Sequence, residues 1–281
     1  MTDLDPKRNV AGRWSLNWPN GGAMARVKPF DEVADAYDAV RPGYPAAVFD
    51  RIVEFGCLRP ETKVLEVGVG TGKATVPFAE RGFEILGIEP GTSLSEVARS
   101  NLARFPRVAI ATTTFEAWSP EQAYGLAFSA QAFHWLDRRS RLSRFAGALQ
   151  SGGVLAVFGN APHLASGRLR DDVEAAYRDL APSLSLLREA TNWYGVADSP
   201  LMAELSASAR FRDVRFTPFK WQRTLDGASY CRLLSTYSDH SVLPSAQRRE
   251  LLGRIAKVIA AHGDSLTLSY TTGLFLARRS D

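Results

Sequence analysis

Val64-Leu65-Glu66-Val67-Gly68-Val69-Gly70-Thr71-Gly72 decides the fold of this chain. An apolar run ends in three glycines at alternate positions, so a strand gives way to a tight loop whose backbone approaches a ligand without Cβ obstruction. About 20 residues on, a second apolar run, Ile85-Leu86-Gly87-Ile88, ends in Glu89, an acid placed at a strand tip to accept ribose hydroxyls. The pair predicts a nucleoside site at the carboxyl edge of a parallel sheet. The bland alternative is an ordinary strand-to-helix turn.

The glycine spacing narrows the nucleoside. The dinucleotide fingerprint G-x-G-x-x-G fails because Lys73 holds the place of its last glycine. A phosphate-cradling G-x-x-x-x-G-K-[ST] loop fails at both ends, with Val67 leading and Ala74 closing. The pattern E-x-G-x-G-x-G resembles motif I of class I methyltransferases that use S-adenosylmethionine (SAM).

Composition sets the outer bounds. With 281 residues, 45% of them hydrophobic, the chain is long enough for one large domain, or a domain with a cap, around a sizeable core. No apolar run approaches the roughly 20 residues that span a bilayer, and the amino terminus lacks the apolar centre of a signal peptide. A soluble, cytoplasmic protein without a membrane partner is expected. Cys57 and Cys231 lie far apart and form no metal-binding or redox pair. His134, His163, His240 and His262 show no ligand spacing, so no metal is expected. A net charge of +4 suits an acidic ligand, but without clustering on one face it is no nucleic-acid signature. The densest basic cluster, Arg138, Arg139, Arg141 and Arg144, reads as a solvated helix face.

Periodicity divides the chain into five parts. Residues 1–28 form an irregular leader containing Trp14 and Trp18, either an accessory segment before Met24 or an ordered arm. Residues 29–60 form a helical cap, with Phe30, Val33, Ala34, Tyr37 and Val40 at helical spacing and a second helix over 46–55. Residues 61–159 carry the strand–helix alternation and, by the resemblance of the glycine loop, are expected to be the SAM-binding core. Its strands are read at 63–67, 84–88, 108–112, 125–130 and 154–158, and its helices run to Arg81 and over 94–104 and 139–149. Pro77 sits awkwardly in the first of these helices unless it falls in the first turn. Residues 160–206 read as a helical lid insertion, and 207–281 complete the sheet, with strands at 211–221 and 265–277 flanking helices at 229–262. Alternating strands and helices argue for right-handed βαβ units.

Phe30 to Pro45 carries F-x-x-x-A-x-x-Y-D-x-x-R-P-x-Y-P, followed by the glycine loop, Gly87-Ile88-Glu89-Pro90 and Gln131-Ala132-Phe133-His134-Trp135-Leu136-Asp137. In this order the motifs resemble the type 11 small-molecule methyltransferases, near the trans-aconitate methyltransferase branch. The resemblance implies a Rossmann-like α/β fold: a mostly parallel seven-stranded sheet, helices on both faces and a helical lid. It implies SAM as cofactor, packed against Gly68, Gly70 and Gly72, with Glu89 on the ribose and Glu66 in the same loop. Tyr37 and Arg41 would close over the amino-acid end, Arg41 as a fork to the carboxylate. Where relatives show D-A-E near the adenine, this chain has Thr114-Phe115-Glu116, so Thr114 and the Phe115 backbone take that place. Ala130 and Phe133 complete the cofactor wall.

His134 is the candidate catalytic base, just past the fourth strand where the reacting sulfonium would lie, with loop ordering as the plainer alternative. Aromatics of the lid and carboxyl-terminal part (Tyr177, Trp193, Tyr194, Trp221, Tyr230 and Tyr237) are candidates for an apolar acceptor pocket or simply for core. The expected activity is methyl transfer to an oxygen or nitrogen of a small organic molecule. A nucleic-acid methyltransferase is disfavoured because Ser129-Ala130-Gln131-Ala132-Phe133 stands where an N-P-P-Y-like run would grip a flipped base. A SAM-fold scaffold without turnover remains as the third reading.

Overall fold

The computed structural model describes residues 38–184 and 194–281, so the leader, Tyr37 and Trp193 lie outside the described residues. A seven-stranded sheet runs in the order β3-β2-β1-β4-β5-β7-β6. Its strands are β1 Lys63–Val67, β2 Glu84–Glu89, β3 Val108–Thr112, β4 Tyr124–Ala130, β5 Leu149–Leu164, β6 Phe211–Leu225 and β7 Leu266–Arg279. Neighbours from β3 to β5 pair in parallel, and β7 runs antiparallel to both β5 and β6.

Alternation along the strands assigns each face its helices. Val64, Leu126, Phe128, Val154, Ala156 and Phe158 face α1 (Ala46–Gly56) and α2 (Thr75–Glu80), where Phe49 and Phe78 are fully buried. Leu65, Val67, Ala127, Leu155 and Val157 face Phe145 of α4 (Arg141–Ala148). On its own, each buried phenylalanine contributes about 1.5–3 kcal/mol. Helix α3 (Thr92–Leu102) packs over β3 and β2, and its Ala98 and Leu102 meet Val69 of the glycine loop. Pro77 is the third residue of α2, within its first turn, where the missing N–H costs no helical bond.

The expected lid takes a different form. Strand β5 does not stop at Phe158 but pairs with β7 through Leu164, and β6 and β7 stay paired up to Leu225 and Leu266. These three strand ends rise past the parallel edge as an arm. Helices α5 (Arg168–Leu180), α7 (Gly227–Ser235) and α9 (Ser245–Ala261) pack on it through Val173, Tyr177, Leu233, Leu251 and Ile255. The cap thus draws on residues after 206, whereas α6 (Pro200–Ser206), inside the expected lid, buries Leu201 and Leu205 in the main core. The pairing that makes the arm joins residues about a hundred positions apart, which local periodicity does not report.

The arm and main core meet where Tyr194 crosses β7. A Cβ built on Gly273 would lie 1.5 Å from the Tyr194 carbonyl oxygen, so this strand position accepts no side chain. Gly273→Ala is expected to lower stability by about 3 kcal/mol or more through overpacking against backbone, read as a fall in thermal midpoint. Gly147→Ala, in α4 with nothing within 4 Å of its Cβ position, is expected to hold or raise it by up to about 1 kcal/mol.

Candidate functional site

A cavity of about 390 Å³ opens at the carboxyl ends of β1, β2 and β4, beneath the arm. Its base is the glycine loop. Gly68, Gly70 and Gly72 all have positive φ, at 81°, 58° and 91°, but they face different neighbours. A Cβ on Gly68 would meet Ala132 at 2.3 Å, one on Gly72 would meet Leu102 of α3 at 3.0 Å, and one on Gly70 meets nothing within 4 Å. Only at Gly70 is the space a side chain would take left open by the protein. Of the three expected at the cofactor, Gly68 and Gly70 line the cavity and Gly72 does not; Gly68 also seats the loop after β4, and Gly72 seats α3. Lys73, next in line, pairs with Asp38 at 3.3 Å.

Glu89 ties this loop to the next one. Its Oε2 accepts the Gly70 N–H at 2.8 Å and its Oε1 accepts the Gly91 N–H at 2.9 Å, with the residue only 5% exposed. Glu66, at the tip of β1, is fully buried. Its Oε2 accepts the Thr75 hydroxyl at 2.6 Å, while Oε1 has no partner. Burial pushes the Glu66 carboxyl up to about 8; the Thr75 bond opposes this and the neighbouring Glu89 charge adds to it. The edge thus holds one carboxylate pinned by backbone and one carboxyl with an unmet oxygen.

The loop after β4 supplies the opposite wall. Gln131 adopts a left-handed φ of 56°, unusual for a residue with a side chain, and its amide is clamped to the Asn160 backbone (Asn160 N–H to Gln131 Oε1, 2.7 Å). The tight 3-10 turn of Phe133–Trp135 then sends Phe133 inward and His134 and Trp135 to the cavity. Phe133 is fully buried, stacked on Phe145 at 5.7 Å and covered by Arg141 at 4.4 Å. Its expected place on the cofactor wall is therefore corrected to a place in the core. His134 Nδ1 lies 3.0 Å from the Tyr194 hydroxyl. Burial, with Arg141 nearby, lowers its pKa to about 4, so the ring is neutral at pH 7.

The remaining expected residues divide. Thr114, Phe115 and Ala130 line the cavity, but the Phe115 ring packs on Phe145 and its carbonyl accepts from Arg144 at 3.1 Å. Arg144 is thus structural, as is Arg141, which is 2% exposed and binds Glu204 and the Phe133 carbonyl. The reading of that arginine cluster as a solvated face holds for neither. Arg41 lines the cavity from a strap over residues 40–45. Rather than standing as an open fork, it donates to the Thr236 hydroxyl (2.9 Å) and carbonyl (2.8 Å) and covers the Tyr237 ring at 4.1 Å. Of the expected pocket aromatics only Tyr237 lines the cavity among the described residues; Tyr44, Trp135 and Tyr270 join it. Asn160, Asp239 and Tyr270, which the motifs did not single out, also face it, brought there by the arm and by the start of the short helix α8 (Ser238–Ser241). Among the described residues no group of three or more His, Cys, Asp or Glu is placed to hold a metal ion, and no helix is long and apolar enough to cross a membrane.

Comparison with known proteins agrees with this geometry. A methyltransferase-domain family model matches residues 64–153, the span from β1 into β5. An uncharacterized methyltransferase of Geobacillus thermodenitrificans is 30% identical over 169 residues, covering 55% of this chain and 77% of that protein. One from Mycobacterium tuberculosis is 25% identical over 248 residues, covering 86% of this chain and 92% of that protein. The likeness to a trans-aconitate 2-methyltransferase of Methylobacterium radiotolerans is partial, 36% identity over 96 residues, 33% of this chain and 36% of that protein. A solved structure of a putative type II methyltransferase from Anaeromyxobacter dehalogenans shares the fold, with a TM-score of 0.59 at 24% identity over 85% of this chain and 97% of that one. The chain belongs to the methyltransferases, of the SAM-dependent class.

A neutral His134 has a direct test. In a pH titration followed by NMR, its ring resonances are expected to move only below about pH 5. An ordinary midpoint near 6.5 would show that the ring is not held neutral by its surroundings.

Proposed function

We propose that this chain transfers the methyl group of SAM to an oxygen or nitrogen of a small organic molecule held between the sheet edge and the cap. The observation that carries the reading is the cavity itself. Its volume of about 390 Å³ falls within the range of small-molecule sites, roughly 300–1,000 Å³, and one wall is the glycine loop while another is the cap. Asn160 Nδ2 holds the Gly43 carbonyl at 3.0 Å and Arg223 holds that of Val40 at 2.8 Å, so the strap lies across the site rather than leaving a long open groove.

The residues fit the cofactor at both polar ends. The buried, unpartnered Glu66 Oε1 suits the ammonium of the methionyl group, and the open face of Gly70 accommodates the chain beside it. Glu89, an acceptor-only carboxylate with about four lone-pair sites, is fixed by two backbone N–H groups to receive ribose hydroxyls. Thr114 and the Phe115 backbone border the adenine end. The cofactor supplies an electrophilic methyl on a sulfonium whose leaving group is a neutral thioether. The protein's part is to hold the acceptor lone pair in line behind that methyl, about 3 Å away, and to exclude water with the strap and cap. His134, neutral at pH 7 and weakly basic, orients an acceptor by hydrogen bonding rather than taking its proton. Acceptors that ionise by themselves, such as carboxylates, need no base.

Two measurements test this. Incubation with methyl-tritiated SAM and pools of small acids, phenols and amines is expected to label at least one small molecule. Label in nucleic acid and in none of the pools would contradict the substrate class. Glu66 adds a pH signature. A carboxyl held near 8 must lose its proton to pair with an ammonium, so SAM affinity is expected to rise from pH 6 to pH 8, by up to tenfold per unit, with proton release. Glu66→Gln should flatten that dependence in calorimetry. Without ligand the sign reverses: between pH 4.5 and 8 the unfolded carboxyl is ionised and the folded one is not, so this group's contribution to stability falls as pH rises.

A further inference from the structure

Gly159 of β5 and Gly273 of β7 pair directly across the sheet, so two missing side chains leave a slot on one face. Tyr194 fills it. A Cβ on Gly159 would lie 2.6 Å from the Tyr194 ring, and one on Gly273 would strike its carbonyl oxygen. The residue is 3% exposed and stands behind the cavity wall rather than in it. Two strand positions are thus given up to seat one tyrosine against the sheet.

The slot delivers the tyrosine hydroxyl to the loop after β4. There it lies 3.0 Å from His134 Nδ1, with the two rings 5.9 Å apart and edge-on. Phe133 and His134 are the first two residues of the 3-10 turn, so their N–H groups have no carbonyl within the turn to bond. Both act as donors on the Tyr194 hydroxyl oxygen. Arg141 acts on it as well, can only donate, and gives hydrogens to Glu204 and the Phe133 carbonyl.

This inventory decides where the hydroxyl hydrogen goes. Burial pushes the Tyr194 phenol up, so it keeps its hydrogen across the neutral range. Donors meet its oxygen, and among the described groups around it only His134 Nδ1 can accept. Nδ1 is then bare. Because the ring is neutral at pH 7, its one nitrogen-bound hydrogen sits on Nε2.

We propose that Tyr194 is a positioning residue that holds His134, a group in the cavity wall, in its Nε2–H tautomer. The histidine then meets the methyl acceptor as a hydrogen-bond donor, with no in-plane lone pair on that edge to take a proton. An acceptor oxygen or nitrogen that offers a lone pair to His134 is favoured, and one that needs a base there is not. The role toward an acceptor rests on the methyltransferase reading; the tautomer does not.

Nitrogen-15 NMR of the full chain, labelled at histidine and assigned with His134→Gln, reads the tautomer directly. Two-bond correlations from the carbon-bound ring hydrogens at pH 7 are expected to show Nδ1 bare and Nε2 protonated. In Tyr194→Phe, which keeps the ring in its slot, the Nδ1 resonance is expected to move downfield by several parts per million as its donor is lost. Nε2 should barely move. Should that variant not fold, 3-fluorotyrosine at position 194 supplies a stronger donor and is expected to move Nδ1 the other way. A proton on Nδ1 in wild type, or an Nδ1 resonance unmoved in the folded variants, would overturn the proposal. Wild type with the expected tautomer that binds no S-adenosylhomocysteine upholds the hold of Tyr194 on the ring and strikes the methyltransferase reading instead.

Discussion

Two backbone N–H groups converging on Glu89 hold this site together. The Gly70 N–H comes from the loop after β1 and the Gly91 N–H from the start of α3, and one carboxylate at the tip of β2 takes both. Charge-assisted bonds of this kind are short and about twice as strong as neutral ones. They fix the glycine loop against the next crossover. Glu66, one strand over, shares the same edge, and the two acids cannot both ionise cheaply in a buried setting; the one without backbone donors on its oxygens retains its proton. A cationic ligand group at Glu66 would relieve that cost. On the proposed reading, the edge suits a ligand with hydroxyls at one end and an ammonium at the other.

The second constraint is the arm. Extending β5, β6 and β7 past the parallel edge gives helices α5, α7 and α9 a platform, and their shared core closes around Tyr177, Leu251 and Tyr270. The strap reaches this cap through Arg41 on Thr236 and Tyr237, and reaches the sheet through Asn160 and through Tyr44, whose ring meets Phe158 edge-on at 4.9 Å. The strap belongs to both sides, with Val40 in the cap's apolar core and Tyr44 on the sheet's, and β5 and β7 run unbroken from one to the other.

Much of the parallel sheet was legible because its signals are local. Val64-Leu65 and Val108-Ala109-Ile110 are short apolar runs bounded by turn residues, and β1 and β3 begin and end where those runs predict. The arm was not legible, because Asn160, Pro162 and His163 break the apolar pattern and are held in β5 only by pairing with Thr272, Tyr270 and Ser269. At the site, Glu66, Gly70 and Glu89 stood out by spacing. Phe133 was misplaced because motif order does not say which residue of a 3-10 turn points inward, and Arg141 because its partner Glu204 lies on another helix. Gln131 gave no sign of its left-handed backbone, and Tyr194 none of its bond to His134; both are facts of packing.

The central claim is that the carboxyl edge of β1 and β2 is a SAM site held by Glu89. Calorimetric titration of SAM and of S-adenosylhomocysteine into wild type and Glu89→Ala addresses it most directly. The account predicts one-to-one binding by the wild type, weakened at least tenfold in the variant while the far-ultraviolet circular dichroism stays unchanged. Equal affinity of both proteins for the two ligands, or none in the wild type, would contradict it.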